Sequence, residues 1–143
     1  MLPPVLERIQ SLGLKVFTNG DYNLNLFGIR SPDRVSGTYD DLLGCAYKVD
    51  GQWVVHYWAA TTDPSLYYQE NPLNVKGTAI LVPGQYVGVY TIDMHAGKYL
   101  ALCQRNGPVT VWRDNDLDRV LDEDVETESG YFGINLPASS STP

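Results

Sequence analysis

Eight carboxylates lie between positions 114 and 128 of this 143-residue chain, close enough in sequence to bind one cation. Four of them occupy positions 1, 3, 5 and 9 of a loop that resembles an EF-hand loop: Asp114, Asp116, Asp118 and Asp122. Because Ca²⁺ takes about six to eight oxygen ligands, alternating aspartates can wrap one ion. Position 6 is Arg119 instead of Gly and position 12 is Val125 instead of Glu, so the alternative is a solvated acidic turn.

Cys45 and His56 form a second candidate site, a thiol–imidazole pair for nucleophilic catalysis. Asp50-Gly51 lies between two runs of alternating apolar residues, and this pattern predicts a two-residue type I′ hairpin. Such a turn places Cys45 opposite His56 with Cβ atoms about 5 Å apart, so the imidazole can take the thiol proton. The sequence offers the pair no oxyanion donor and no orienting acid. The alternative is therefore a packed strand pair with an unreactive thiol.

His95 and three aromatic residues are further candidates. His95 is predicted at a turn before a strand, where functional residues are common, but a surface imidazole that caps a carbonyl also fits. With two histidines in the chain, we do not expect a zinc site. Trp53, Tyr57 and Trp58 alternate between the faces of one predicted strand. Some of these rings could therefore face solvent and stack on sugars, unless two sheets bury them.

Turn signals divide the rest of the chain into short strands. Pro83-Gly84 predicts a type II turn. Asn106-Gly107 predicts a second type I′ hairpin, which joins residues 98–105 to residues 108–113. In that hairpin four apolar residues share one face and form the predicted core: Leu100, Leu102, Val109 and Val111.

The predicted fold is mainly β, a small barrel or sandwich of short antiparallel strands with a short N-terminal helix. The helix is expected to open at Pro3-Pro4 and to stop at Gly13, because Pro suits the first helical turn and Gly favours a stop. We predict one β-rich domain over residues 1–137. Residues 138–143 are rich in Ser and have little to bury, so they form a loose C-terminal tail.

The composition restricts the expected partners. A net charge of −7 repels phosphate backbones and anionic lipids, so we expect no nucleic acid partner. No apolar run approaches the ~20 residues that span a bilayer, so membrane insertion is not expected. The first residues lack the pattern of a signal peptide, which favours synthesis in a reducing cytoplasm. Cys45 and Cys103 allow one disulfide at most.

Several short phrases follow one another between about residues 20 and 136: Asn23-Leu-Asn-Leu-Phe-Gly-Ile-Arg-Ser31, Asp40-Asp-Leu-Leu-Gly44, Ala60-Thr-Thr-Asp-Pro64, Lys76-Gly-Thr-Ala-Ile-Leu81, Pro83-Gly-Gln-Tyr86, Gly97-Lys-Tyr-Leu-Ala-Leu102, Val111-Trp-Arg-Asp114 and Gly133-Ile-Asn-Leu136. In this order they resemble a family of uncharacterised phage and prophage proteins, related to L,D-transpeptidase-like and other peptidoglycan-processing domains.

The resemblance implies a catalytic end that this sequence lacks. In the family, Gly-Ile-Asn is followed by a His, and a later Ser-x-Gly-Cys segment supplies a thiol nucleophile. Here Pro137 stands at the position of the His, and the sequence ends at Pro143 before any such segment. The resemblance therefore carries over the scaffold residues and no catalytic residue.

Three functions remain open. The first is a non-catalytic structural or accessory protein of a phage virion, in a tail, baseplate or capsid. It would be made in the cytoplasm of the host bacterium and would bind other virion proteins in an oligomeric assembly. The second is a peptidoglycan hydrolase or L,D-transpeptidase-like enzyme with a displaced or split active site, for example at Cys45 and His56. The third is a cell-wall-binding module. No cofactor is expected unless the acidic loop holds Ca²⁺.

Overall fold

The structure is a computed structural model that describes residues 1–32, 40–62, 69–71, 77–95, 97, 99–114, 121, 123, 125–132, 134 and 136–137. Within these residues the chain is mainly β, with one short N-terminal helix and three antiparallel sheets of three strands each. The predicted fold class is confirmed. None of the three sheets closes into a barrel in the described part of the chain.

The chain separates into two compact units. The first holds the described residues up to position 62, and the second holds those from position 69 onward. The single domain predicted over residues 1–137 stays a prediction, and the predicted tail over residues 138–143 lies outside the described residues. No described helix has the length and apolar character that crossing a membrane requires.

The first unit contains α1 (Pro4–Ser11), β1 (Asn25–Ile29), β2 (Asp41–Val49) and β3 (Gln52–Ala60), and its strands pair in the order β1-β2-β3. Pro4 begins the helix, as predicted, and Leu6 is its buried residue. Asp50 has a φ of 50° and Gly51 a φ of 75°, which are the left-handed values that a type I′ turn needs. The predicted hairpin is therefore confirmed.

The second unit contains β4 (Thr78–Leu81), β5 (Tyr90–His95), β6 (Tyr99–Gln104), β7 (Val109–Asp114), β8 (Thr127–Gly130) and β9 (Leu136–Pro137). Its sheets have the orders β4-β7-β8 and β5-β6-β9. Buried Val89, Val109 and Val111 form its core with partly buried side chains that come from both sheets or their flanks. This two-sheet unit is sandwich-like.

The hairpin predicted at Asn106-Gly107 is wrong. The strands on its two sides, β6 and β7, belong to different sheets. Neither turn residue has a positive φ, so the turn is not type I′. Instead, the N–H groups of Arg105 and Asn106 donate to the carbonyl oxygen of Val89 at 3.2 and 3.0 Å. The turn is thus bonded to the segment before β5, and β7 is free to pair with β4 and β8.

The predicted core is confirmed in part. Val109 and Val111 are buried in the core of the second unit, whereas Leu102 lies half-buried on a strand of the other sheet. The side chain of Leu100 lies outside the described residues. After the predicted turn at Pro83-Gly84, the next strand of the described chain, β5, begins only at Tyr90.

Candidate functional site

Of the four aspartates predicted to bind Ca²⁺, only Asp114 lies within the described residues. Asp114 is the last residue of β7, is buried, and pairs in register with Thr78. The other three aspartates, Asp116, Asp118 and Asp122, lie outside the described residues. Within the described residues no group of three or more His, Cys, Asp or Glu side chains could hold a metal ion. Ca²⁺ binding by this loop stays a prediction.

Cys45 and His56 are directly opposite each other in the β2–β3 register, as the turn predicted. Cys45 is buried, and burial raises the pKa of its thiol. A thiol whose pKa is raised is a weaker nucleophile at neutral pH because less of it is thiolate. His56 is exposed, and its Nε2 lies 3.2 Å from the hydroxyl oxygen of Tyr47. The geometry brings the two residues together but does not activate the thiol.

His95 is the last residue of β5, not a turn residue as predicted. It pairs in register with Tyr99 across the β5–β6 hairpin and is half-buried. Cys103, on β6, is fully buried, and its sulfur lies 3.7 Å from the carbonyl oxygen of Asp93. Both Cys45 and Cys103 are free thiols, so the disulfide that the sequence allows is not formed.

A row of four rings crosses the first sheet, and we call it the aromatic face: Tyr22, Tyr47, His56 and Trp58. The centroid distances along this row are 5.8, 5.9 and 5.8 Å, with interplanar angles of 23°, 34° and 21°. The last three side chains share one face of the sheet because the register places them at alternating positions. At the two ends of the row, Tyr22 is 70% exposed and Trp58 is 56% exposed.

Tyr22 and Tyr47 are the members of the aromatic face that the sequence did not single out, and Tyr22 lies in a loop outside the strands. Its N–H donates to the carbonyl oxygen of Lys48 at 2.9 Å, and its φ is 57°. The preceding residue, Asp21, accepts the turn N–H groups of Asp50 at 2.8 Å and Gly51 at 3.1 Å. One loop carboxylate therefore caps the hairpin turn and holds Tyr22 beside the sheet.

The opposite face of the hairpin carries the other two predicted rings. Tyr57 is 50% exposed and meets the Phe27 ring edge to face at 5.6 Å. Gly44 makes room for that ring, since a Cβ there would lie 2.5 Å from it. Trp53 is half-buried, with the Lys48 ammonium 5.3 Å from its ring centroid. The predicted alternation of rings between two faces is confirmed.

A buried carboxylate joins the far ends of the three strands. Asp41 accepts the N–H of Ser31 at 2.7 Å on one oxygen. On its other oxygen it accepts the N–H and the hydroxyl of Thr62, at 3.0 and 2.7 Å. Arg30 donates to the hydroxyl and carbonyl oxygens of Thr62 at 2.9 and 3.1 Å. Arg30 and Ser31, Asp41, and Thr62 lie in three separate segments of the sequence, so the sequence spacing alone did not reveal this cluster.

Comparisons of this chain with protein-family models, with curated proteins and with solved structures each found no match. The family resemblance therefore stays a prediction. In the first unit, Tyr22 and Trp58 are more than half exposed, whereas burial raises the pKa of the Cys45 thiol.

Proposed function

We propose that this chain is a non-catalytic structural or accessory protein of a phage virion, and that its first unit binds a neighbouring virion protein through the aromatic face. One observation carries the proposal. The face ends in two aromatic side chains that are more than half exposed, although aromatic residues gain most from burial. Contiguous exposed apolar surface of this kind is typical of interaction sites.

The arrangement of the rings supports a protein partner. Tyr and Trp are enriched at protein interfaces and frequently contribute most of the binding energy. The rings already stack on one another, so little side-chain freedom is lost when a partner covers them. Burial of Cys45 also argues against the enzyme alternative, because a displaced active site would need that thiol as a thiolate.

Cell-wall binding is the second candidate, and the exposure of Trp58 favours it. A sugar stacks on an open ring face, however, and mutual stacking already occupies part of the faces of Tyr47 and His56. Within the described residues, each outer ring, Tyr22 or Trp58, has one ring neighbour in this row, whereas Tyr47 and His56 have two each. The aromatic face therefore suits a protein surface that fits around a row of rings better than a glycan chain that needs several open rings.

The test is to purify phage particles from the strain that carries the gene and to search them for this chain by mass spectrometry. We expect the wild-type chain in the particles and a strong reduction for the double variant Tyr22→Ala/Trp58→Ala. Tyr131→Ala is the matched control, since Tyr131 is 63% exposed in the second unit. Absence of the wild-type chain from particles, or equal incorporation of the double variant, would overturn the proposal.

Tryptophan fluorescence separates the cell-wall alternative from the protein interface. Under the proposal, soluble peptidoglycan fragments leave the emission of the wild-type chain unchanged. Saturable quenching that disappears in Trp58→Phe would instead favour a cell-wall-binding module, because Trp58 is the exposed tryptophan of the aromatic face. Trp53→Phe is the control, since Trp53 is half-buried on the opposite face.

A further inference from the structure

β3 is a long edge strand with no described neighbour on its outer side. Its nine residues, Gln52–Ala60, pair with β2 along their whole length without a bulge. The strand contains no charged residue and no proline, although the chain as a whole carries a net charge of −7. Natural edge strands commonly carry a Lys, a Pro or a bulge that blocks pairing with another strand. β3 has none of these.

The hairpin turn fixes which backbone groups of β3 point outward. Val49 and Gln52 flank the two-residue turn and so form a hydrogen-bonded pair, after which bonded and non-bonded pairs alternate. The backbone groups of alternate residues therefore point away from β2. These outward residues are Trp53, Val55, Tyr57 and Ala59.

Two hydrogen bonds on the other side of β2 agree with this assignment. The carbonyl oxygens of Lys48 and Ala46 accept bonds on the β1 side of β2. In the register Lys48 lies opposite Trp53 and Ala46 opposite Val55. In each pair the backbone N–H and C=O groups of the two residues point away from each other. Among the described residues, no group bonds to the outward N–H and C=O groups of β3.

We propose that β3 pairs antiparallel with β3 of a second copy of this chain, in a register centred on His56. The two first units then share one six-stranded sheet with a two-fold axis through the His56 pair. This inference goes beyond the proposed function, because it names a second partner of the first unit. It does not require the virion partner that the aromatic face would bind.

Hydrogen bonding selects the register. With His56 opposite His56 of the second copy, Trp53 faces Ala59 and Val55 faces Tyr57, so every outward residue meets an outward residue. Each such pair exchanges two hydrogen bonds in an antiparallel ladder, and no outward group of the four residues stays unbonded. If the register shifted by two residues in either direction, Trp53 or Ala59 would lie opposite a residue outside β3 of the second copy and would lose its hydrogen bonds within the ladder.

Side-chain sizes fit the same register. Trp53 lies across from Ala59 of the second copy, and Tyr57 lies across from Val55. On the aromatic face, Trp58 lies across from Val54 of the second copy. The pairs of Tyr57 with Val55 and of Trp58 with Val54 join an aromatic to a β-branched side chain, an arrangement that stabilises cross-strand pairing. A second copy would also cover part of Trp58, whose exposure in the single chain is otherwise costly.

Analytical ultracentrifugation of the purified chain over a concentration series tests the pairing. We expect a monomer–dimer equilibrium that Val55→Pro weakens roughly 30-fold, because proline removes the outward N–H of Val55 in both copies. Among the described residues nothing bonds to that N–H, so the variant should fold, which far-UV circular dichroism would verify. A wild-type chain that stays monomeric, or a dimer that Val55→Pro leaves unchanged, would overturn the proposal.

A charge exchange tests the register itself. His56→Lys and His56→Glu each place two like charges opposite each other at the two-fold axis, so each variant alone should stay monomeric. Mixed in equal amounts, the two variants should form a heterodimer. Ile92→Lys and Ile92→Glu are controls, because Ile92 is 70% exposed on β5 of the second unit, and they should dimerise like the wild type. No recovery on mixing His56→Lys with His56→Glu would contradict the register.

These experiments fail independently of the particle experiment. A monomeric chain that is nevertheless found in particles would reject the β3 pairing and keep the proposed function. A chain that dimerises but is absent from particles would reject the proposed function and keep the β3 pairing.

Discussion

Each unit contains an Asx-Gly pair at a turn, and the two pairs have opposite effects on the strands beside them. In the first unit Asp50-Gly51 adopts left-handed φ values and joins two strands that pair along their full length. In the second unit Asn106-Gly107 has no positive φ and separates two strands of different sheets. An Asx-Gly pair therefore marks a turn, but tertiary contacts decide whether the flanking strands pair.

The two turns differ because different hydrogen bonds stabilise the strands around them. The first unit is stabilised close to the turn, where Asp21 caps the hairpin. In the second unit the side chain of Gln104 bonds to backbone groups before β7 and at the end of β8. Pairing β6 with β7 would compete with that network and with the burial of Val109 and Val111.

The largest expected effect is at Gln104, because the second unit depends on long-range bonds. Its Nε2 donates to the carbonyl oxygens of Gly107 and Gly130, and its Oε1 accepts the N–H groups of Phe132 and Ile134. Gln104→Leu should lower the free energy of unfolding by about 3 to 5 kcal/mol, since buried backbone groups lose their partners. Urea denaturation measures this, with exposed Gln52→Leu as control. A loss below about 1 kcal/mol would show that the network is replaceable.

Asp41 is the corresponding residue of the first unit, although it lies far from the turn. Asp41→Asn keeps one acceptor oxygen and should cost about 2 to 3 kcal/mol, because a buried charged acceptor of three hydrogen bonds is lost. Thermal denaturation checks this, with exposed Asp40→Asn as the neighbouring control. Equal melting temperatures for the two variants would mean that the turn alone holds the strands together.

Gly44 tests how tightly the β1–β2–β3 sheet is packed. Gly44→Ala should cost about 2 kcal/mol, because the new Cβ would meet the Phe27 ring and the carbonyl oxygen of His56. Gly84→Ala is the control in the second unit, where the nearest atom lies 3.8 Å away. Phe27→Leu should relieve part of the cost in the double variant, as a double-mutant cycle would show. Additive losses would contradict the contact.

Asp50→Ala and Asn106→Ala compare the two Asx-Gly turns directly. Alanine tolerates the left-handed φ of Asp50 poorly, so Asp50→Ala should cost about 1 kcal/mol. Asn106→Ala should change the stability little, because the φ of Asn106 is not positive. Chemical denaturation of both variants measures the two changes in the free energy of unfolding. Equal losses would mean that the two turns are more alike than their φ values indicate.

The smallest expected effect is at Asp93, in an exposed ion pair of the second unit with Arg105 at 3.2 Å. The N–H of Met94 and then the guanidinium of Arg105 lower the pKa of this carboxyl. Its contribution is therefore present above the ordinary aspartate pKa and is lost as the pH falls through the lowered value. Asp93→Asn should flatten the pH dependence of the melting temperature slightly at acid pH, and salt should reduce the difference. A larger effect near neutral pH would be unexpected.

The sequence by itself determined the features that depend on neighbouring residues. These are the start of α1 at Pro4, the type I′ turn, the Cys45–His56 register that follows from it, and the alternation of rings along β3. Each follows from the dihedral preferences of one or two residues and the two-residue period of a strand.

Only the tertiary structure decided which strands pair across a distance and which groups are exposed. It buried the Cys45 thiol, stacked the loop residue Tyr22 on the hairpin, and assembled the Asp41 cluster from separate phrases. It also bonded the Asn106-Gly107 turn to Val89 instead of closing a hairpin. These outcomes depend on satisfying buried polar groups and filling a shared core, and such costs arise only when distant segments meet.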